Sequence, residues 1–209
     1  MKERPILFNG PMVRAILEGQ KTVTRRAVKG AAAKWLIDFT PEFVADKAND
    51  LCPFGVPGDR LWVRETTEAD YESCDSVVLA RYSADEAPVL YWENDDGEPI
   101  QAVDHWNYPR DVRPSIHMKR EACRILLEIT AVRVERLQDI TEEQAEAEGA
   151  VHASSIKDFE AWAAEQRAQS LPVDPPRAWF IRLWEHINGA GSWDDNPWVW
   201  VVEFERVTQ

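Results

Sequence analysis

The longest strand signal in the chain lies between Arg124 and Leu137, a stretch rich in β-branched residues whose side-chain character alternates after Glu128. A second alternating stretch, from Trp198 to Val207, closes the sequence. These two stretches predict the longest strands of the molecule, and the other strand signals are short. The pattern therefore favours a fold organised around a small sheet.

Shorter signals surround these two strands. Residues 4–8 and 60–65 each predict a strand, and residues 21–26 predict an edge strand or an extended turn. Asn9 is a predicted N-cap, and the helix that follows it is expected to end at Gly19. Short strands with helices between them indicate an α+β fold around a small, partly closed sheet.

The second half of the chain adds helices. Thr141 and Gln144 form a predicted capping box that opens a short helix ending at Gly149. Further helices are predicted from Ser155 and after Pro175. The chain has 209 residues, of which 44% are hydrophobic, which is enough to bury the core of one domain. Residues 66–114 are loop-rich and acidic, and we interpret them as an insertion.

Composition excludes several classes of protein. No run approaches the roughly 20 apolar residues of a membrane helix, and the apolar stretch near the N-terminus is too short for a signal peptide. A cytoplasmic protein without membrane contact is expected. The three cysteines form no CxxC pair and the four histidines are scattered, so we expect no disulfide framework and no metal site.

Charge is unevenly distributed. The net charge is −13, which argues against coating a long nucleic acid. Residues 1–34 nevertheless hold eight Lys or Arg against two Glu, while residues 137–170 hold eight acids against one Lys and one Arg. A basic N-terminal segment on an otherwise acidic body suits a small pocket better than a polyanion track.

The segment from Gly19 to Arg26 carries the most chemistry. A Thr hydroxyl such as that of Thr24 is a poor nucleophile unless a base removes its proton, and a lysine with a lowered pKa can be that base. In an extended chain Lys21 and Thr24 point to opposite faces, whereas a turn after Lys21 lets them converge. On residue types alone the segment also fits a basic, solvated edge strand. Because Lys21 follows a helix end, we expect its truncation to cost little core packing.

Four segments resemble, in order, the ASCH domain family, a PUA-like β-barrel group that includes bacterial N4-acetylcytidine amidohydrolases. They are Gly19–Thr24, Gly58–Val63, Ile140–Glu148 and Trp198–Phe204. The resemblance implies one PUA-like domain over residues 1–209. This chain is about twice as long as compact members of the family, and its insertions lie near residues 30–55, 66–115 and 150–195.

The resemblance also implies the site. The family's catalytic Lys, Thr and Glu fall on Lys21, Thr24 and Glu148, and a shift of the helix register would exchange Glu148 with Glu146 or Glu142. Five further residues are candidates for binding a nucleobase by stacking or hydrogen bonding: Arg25, Arg26, Trp62, Arg64 and Glu65.

The implied reaction is hydrolysis of N4-acylated cytidine or cytosine, such as N4-acetylcytidine to cytidine and acetate, without a metal or organic cofactor. In one version Thr24 is the nucleophile, Lys21 is the base or oxyanion partner, and Glu148 carries a proton to the leaving amine. In the other, Glu148 and Lys21 activate a water while Thr24 binds the acyl oxygen.

Two other functions stay open from the sequence. An RNA-binding module, with or without ribonuclease activity, would use Lys21, Arg25, Arg26 and Lys29 as phosphate contacts, although the net charge of −13 counts against it. An accessory protein without chemistry is the third alternative.

Overall fold

The computed structural model describes residues 1–93, 100–149 and 175–207. These residues form a mixed α+β fold. The strands are β1 Glu3–Leu7, β2 Val23–Ala27, β3 Arg60–Arg64, β4 Thr67–Asp70, β5 Leu79–Tyr82, β6 Leu90–Glu93, β7 Ile100–Val103, β8 Val112–Arg113, β9 Leu126–Arg136 and β10 Trp198–Arg206. The α-helices are α1 Gly10–Leu17, α2 Gly30–Trp35, α3 Pro41–Ala45, α4 Glu142–Ala147 and α5 Pro176–Asn188.

The main sheet has five strands in the order β1-β3-β9-β10-β2. The β1/β3 pair is parallel and the other neighbouring pairs are antiparallel. The two long strands predicted from the sequence, β9 and β10, are adjacent, with β10 paired on both sides. No backbone ladder between described residues joins the edge strands β1 and β2, so this sheet is open where a closed barrel would be continuous.

The side chains of β10 are buried on both faces of the sheet. Trp200 and Val202 belong to the larger core cluster together with residues of α1, whereas Val199 and Val201 pack with residues of α4 and α5. This is the pattern expected for a central strand covered by helices, because successive side chains point to opposite faces. Trp200 is 1% exposed, in keeping with the large share of core packing that aromatic side chains supply.

Local sequence signals set the ends of α1 and α4. The Asn9 side chain accepts a hydrogen bond from the backbone N–H of Met12, 3.0 Å away, which confirms the predicted N-cap. The predicted capping box is present, with reciprocal bonds between Thr141 and Gln144. Each helix then ends before a glycine with positive φ, +74° at Gly19 and +68° at Gly149.

The turn after α1 is bonded both to α1 and to the end of α4. The backbone N–H of Lys21 donates to the carbonyl of Ala15 at 3.0 Å, and that of Thr22 donates to the carbonyl of Ala147 at 2.9 Å. The second bond joins the start of β2 to the end of α4. Two segments far apart in sequence are thereby held side by side.

The stretch read as a loop-rich insertion has more regular structure than its composition indicated. It contains a three-stranded sheet, β5-β4-β8, and the hairpin β6-β7. These strands have only two to four residues, too short for a clear alternating pattern. The predicted helix after Pro175 is confirmed as α5, whereas the helix predicted from Ser155 lies outside the described residues.

Gly149 supports the junction between α4 and β2. A Cβ added at Gly149 would lie 3.0 Å from the Cβ of Ala15 and 3.2 Å from the Cβ of Lys21. Gly19 has a similar φ but nothing within 4 Å of an added Cβ. An alanine at Gly19 would therefore meet only backbone strain, whereas an alanine at Gly149 would meet backbone strain and steric overlap.

We predict that Gly149→Ala lowers the free energy of unfolding more than Gly19→Ala. Both changes carry the left-handed backbone cost of roughly 1–2 kcal/mol, and Gly149→Ala adds overpacking of about 1–3 kcal/mol. Urea denaturation of the two variants measures the difference. Equal losses would show that the junction tolerates a methyl group.

Candidate active site

The Lys21 ammonium is the centre of a buried polar cluster. Its Nζ donates three hydrogen bonds, each of 2.8 Å, to the carbonyl of Val23, the carbonyl of Glu148 and Oε2 of Glu148. The side chain of Lys21 is 0% exposed. Three acceptors match the three N–H donors of a protonated lysine, whereas a neutral amine would leave one acceptor without a partner.

Two opposing effects act on the protonation of Lys21. Burial is the larger effect and lowers the pKa of Lys21 below its ordinary value of 10.5, while the charge and hydrogen bond of Glu148 act in the opposite direction. Arg26 and Arg25 lower the pKa further. The three hydrogen bonds nevertheless describe the ammonium form, so the cluster is built around a positive charge.

Glu148 is the C-cap of α4, and its side chain is 5% exposed. Its Oε2 accepts from Lys21, and its Oε1 lies 3.5 Å from Nη1 of Arg25. Among the three candidate acids of this helix, Glu148 is the one that contacts Lys21. Glu146 is exposed, and Glu142 accepts from the backbone N–H of Arg177 at 2.8 Å.

Arg25 extends the cluster into the sheet. Its Nη2 donates to Oε1 of Gln144 at 2.8 Å and to Oε2 of Glu135 at 3.3 Å. Glu135 is in turn paired with Arg133, which also pairs with Glu203. The Arg25 guanidinium is fully buried, and its contacts with these carboxylates and with Gln144 help to hold Glu148 in place.

A cavity of about 50 Å³ adjoins the cluster. Thr24, Arg26 and Glu148 line one side of it, and α5 supplies an apolar wall that includes Phe180 and Leu183. Thr24 is 3% exposed, and its hydroxyl forms no hydrogen bond with another described residue. That hydroxyl can therefore donate to a group that enters the cavity.

Arg26 is half-buried at the edge of the same cavity. Its Nη2 donates to the carbonyl of Leu7 at 2.9 Å, and its guanidinium carbon lies 5.5 Å from the centre of the Phe8 ring. Five of the eight residues predicted from the sequence thus meet at one place: Lys21, Thr24, Arg25, Arg26 and Glu148.

The structure does not bring the other three predicted residues, Trp62, Arg64 and Glu65, to this cavity. They lie on or just after β3, which β9 and β10 separate from β2. Glu65 is buried and accepts two bonds from Arg124, at 3.1 and 2.7 Å. The Arg64 guanidinium lies over the Trp62 ring, 5.4 Å from its centre. The expectation that these three residues bind a nucleobase therefore finds no support from the cavity beside Lys21.

Sequence reasoning missed Gln144, Glu135 and the apolar wall of α5. Gln144 was recognised as half of a capping box, but the same side-chain oxygen also accepts from Arg25. The sequence predicts α5 as a helix, but it does not show that the buried face of this helix, with Phe180 and Trp184, lines the cavity beside Glu148. The periodic spacing of α5 was the available signal, and it could not reveal which surface the helix covers.

Comparisons of the chain with protein-family models, with curated proteins and with solved structures found no match. Among the described residues, no helix is long and apolar enough to cross a membrane. The three cysteines are free thiols.

The buried pair corrects the expectation that Lys21 can be truncated at little cost. Removing one partner of a buried ion pair leaves an uncompensated charge, which costs about 3–5 kcal/mol. We predict that Lys21→Met and Glu148→Gln each destabilise the protein strongly. We also predict that the double variant loses less free energy of unfolding than the two single variants lose together. The difference, which is the coupling energy, should be about 0.5–3 kcal/mol.

Urea unfolding of the four proteins in this cycle measures the coupling. The exposed pair between Arg120 and Glu3, 2.9 Å apart, supplies a control cycle with an expected coupling of about 0–1 kcal/mol. Additive losses at Lys21 and Glu148 would contradict the ion pair described above.

Proposed function

We propose that this protein is an amidohydrolase that removes the acyl group from N4-acylated cytidine or cytosine, with an ASCH-type, PUA-like architecture. The observation that carries the proposal is the contact between Lys21 and Glu148, which are 127 positions apart yet joined at 2.8 Å. Both were expected at the site from the resemblance, and Thr24 lines the adjoining cavity. Such convergence supports a functional cluster.

In the mechanism that we propose, Glu148 activates a water molecule. The carboxylate accepts a proton from the water as its oxygen attacks the acyl carbon, and the same proton passes to the exocyclic nitrogen as the C–N bond breaks. The products are a carboxylic acid and the free cytosine amine. Oε1 of Glu148 is the oxygen available for this role, because Oε2 accepts from Lys21.

The other two residues serve this step without carrying the proton. Lys21 holds the carboxylate in place, and it is a poor choice of base because its three donors are occupied. Thr24 donates a hydrogen bond to the acyl oxygen as negative charge develops on it, a contribution that is worth about 10²–10³ in rate at comparable sites.

The size of the cavity bears on the substrate. A volume of about 50 Å³ is far below the roughly 300 Å³ of pockets that enclose whole small molecules. We infer that a short acyl group enters between Thr24 and Leu183 while the pyrimidine stays outside the cavity. An acetyl group fits this arrangement better than a longer chain.

The geometry gives less support to RNA binding. Lys21 and Arg25, two of the four expected phosphate contacts, are buried and paired with carboxylates. Arg26 is half-buried and Lys29 is exposed. Gel-shift binding at two salt concentrations distinguishes the functions, because strong and salt-sensitive binding of RNA would favour the nucleic-acid module.

The test of the proposed function is the turnover of N4-acetylcytidine, followed by its absorbance change on conversion to cytidine. We predict that the purified protein performs this reaction and that Glu148→Gln lowers the rate by about 10²-fold or more, as for loss of a general acid–base group. Glu146→Gln removes a neighbouring exposed carboxylate and should leave the rate unchanged. No turnover by the wild-type protein, or equal rates in the three proteins, would contradict the proposal.

The protonation of Lys21 predicts a falling limb in the pH–rate profile. Since burial lowers the pKa of Lys21 below 10.5, the ammonium is lost as pH rises through that lowered value. The rate should be sustained below the lowered pKa of Lys21 and should fall as the pH rises through it. Any activity that Lys21→Met retains should not show this fall. Circular dichroism over the same range separates loss of activity from unfolding. A rate that climbs with pH would instead assign Lys21 the role of base.

A further inference from the structure

A second and larger cavity lies in the part of the chain between β5 and β9. It has a volume of about 500 Å³, within the range of small-molecule pockets. Four charged side chains line it: Asp104, Arg113, Lys119 and Glu121. None of its lining residues belongs to the cluster around Lys21.

Arg113 is the most deeply buried of the four charged groups in this cavity. It is 6% exposed, and its Nη2 donates to Oδ1 of Asn107 at 2.6 Å. Its guanidinium carbon lies 4.9 Å from the centre of the Trp106 ring and 5.3 Å from that of Tyr108. These contacts fix the plane of the guanidinium but do not neutralise its charge.

Arg113 forms no ion pair with any carboxylate in the described ranges of the chain. Other buried or half-buried arginines do: Arg25 is paired with Glu135, and Arg124 with Glu65 and Asp85. A buried charge without a counter-ion is costly. A ligand with an anionic group would supply the missing partner, and a carboxylate fits the planar fork of a guanidinium.

The remaining charges define the rest of the ligand. Asp104, Glu121 and Lys119 also line the cavity and form no ion pair within the described ranges. With Arg113 they give a lining of two positive and two negative groups. The two carboxylates would repel a phosphate dianion, whereas they complement a ligand that also carries an ammonium group.

We propose that this cavity binds a zwitterionic small molecule, an α-amino acid or a dipeptide. Its carboxylate binds Arg113, and its ammonium group faces Asp104 and Glu121. This site is separate from the proposed amidohydrolase centre and does not depend on it.

Isothermal titration calorimetry of the full chain tests the proposal. The probes are the protein α-amino acids and glycylglycine, then the amide and N-acetyl derivatives of the tightest binder, and inorganic phosphate. We expect binding of at least one zwitterion with Kd below about 10 mM. Both derivatives should bind at least about tenfold more weakly, since each loses one charge-assisted contact.

Three variants locate the binding. Arg113→Gln should weaken the binding of the zwitterion at least about tenfold. Asp104→Asn should weaken the binding of the zwitterion more than the binding of its N-acetyl derivative. Arg110→Gln changes a nearby exposed arginine outside the cavity lining and should have no effect. If Arg113→Gln fails to fold, Asp104→Asn carries the test.

Three results would overturn the proposal. They are no binding by any amino acid or glycylglycine up to about 10 mM, an amide that binds as tightly as its acid, and inorganic phosphate that binds more tightly than every zwitterion. The last result would identify a phosphate site in place of an amino-acid site.

Discussion

A lysine ammonium buried away from water must find three acceptors and a counter-charge, and this requirement organises the protein around Lys21. The acceptors come from β2 and from Glu148, the C-cap of α4, so the bonds tie the turn after α1 to a segment 127 positions later. The close approach of α4 explains the glycine at position 149, where a side chain would meet Ala15 and Lys21. A neutral side chain of similar length would remove the need for this closure but also the charge that holds Glu148.

The same ion pair connects the fold to the proposed chemistry. A carboxylate placed between Lys21 and Arg25 stays buried and fixed, with one oxygen bonded tightly and the other only at 3.5 Å. The apolar side chains of α5 line the other side of the cavity, and electrostatic interactions are stronger beside apolar groups than in bulk water. Charges that are held in fixed positions stabilise developing charge without reorganisation. The cost is local stability, because each member of the cluster depends on the others.

Local signals predicted much of the fold and little of the site. The two long strands, the Asn9 cap, the capping box and α5 follow from periodicity and capping, which act within a few residues. The Lys21–Glu148 contact required the family resemblance, because no local pattern encodes a pairing over this separation. Glu65 and Arg64 were expected beside Lys21, but β9 and β10 lie between them and β2 in the sheet. Strand order of this kind cannot be deduced from local sequence patterns. The short strands between residues 66 and 114 were missed because two to four residues carry no clear alternation.

The protonation state of Lys21 is the claim on which the rest depends, and nitrogen-detected NMR of the lysine Nζ measures it directly. At neutral pH, we expect an ammonium signal for Lys21 with three protons protected from exchange by burial, and its loss in Lys21→Met assigns it. Glu148→Gln should increase the exchange rate of these protons, because one acceptor loses its charge. A neutral amine signal at neutral pH would contradict the buried positive charge at Lys21 and return this residue to the role of catalytic base.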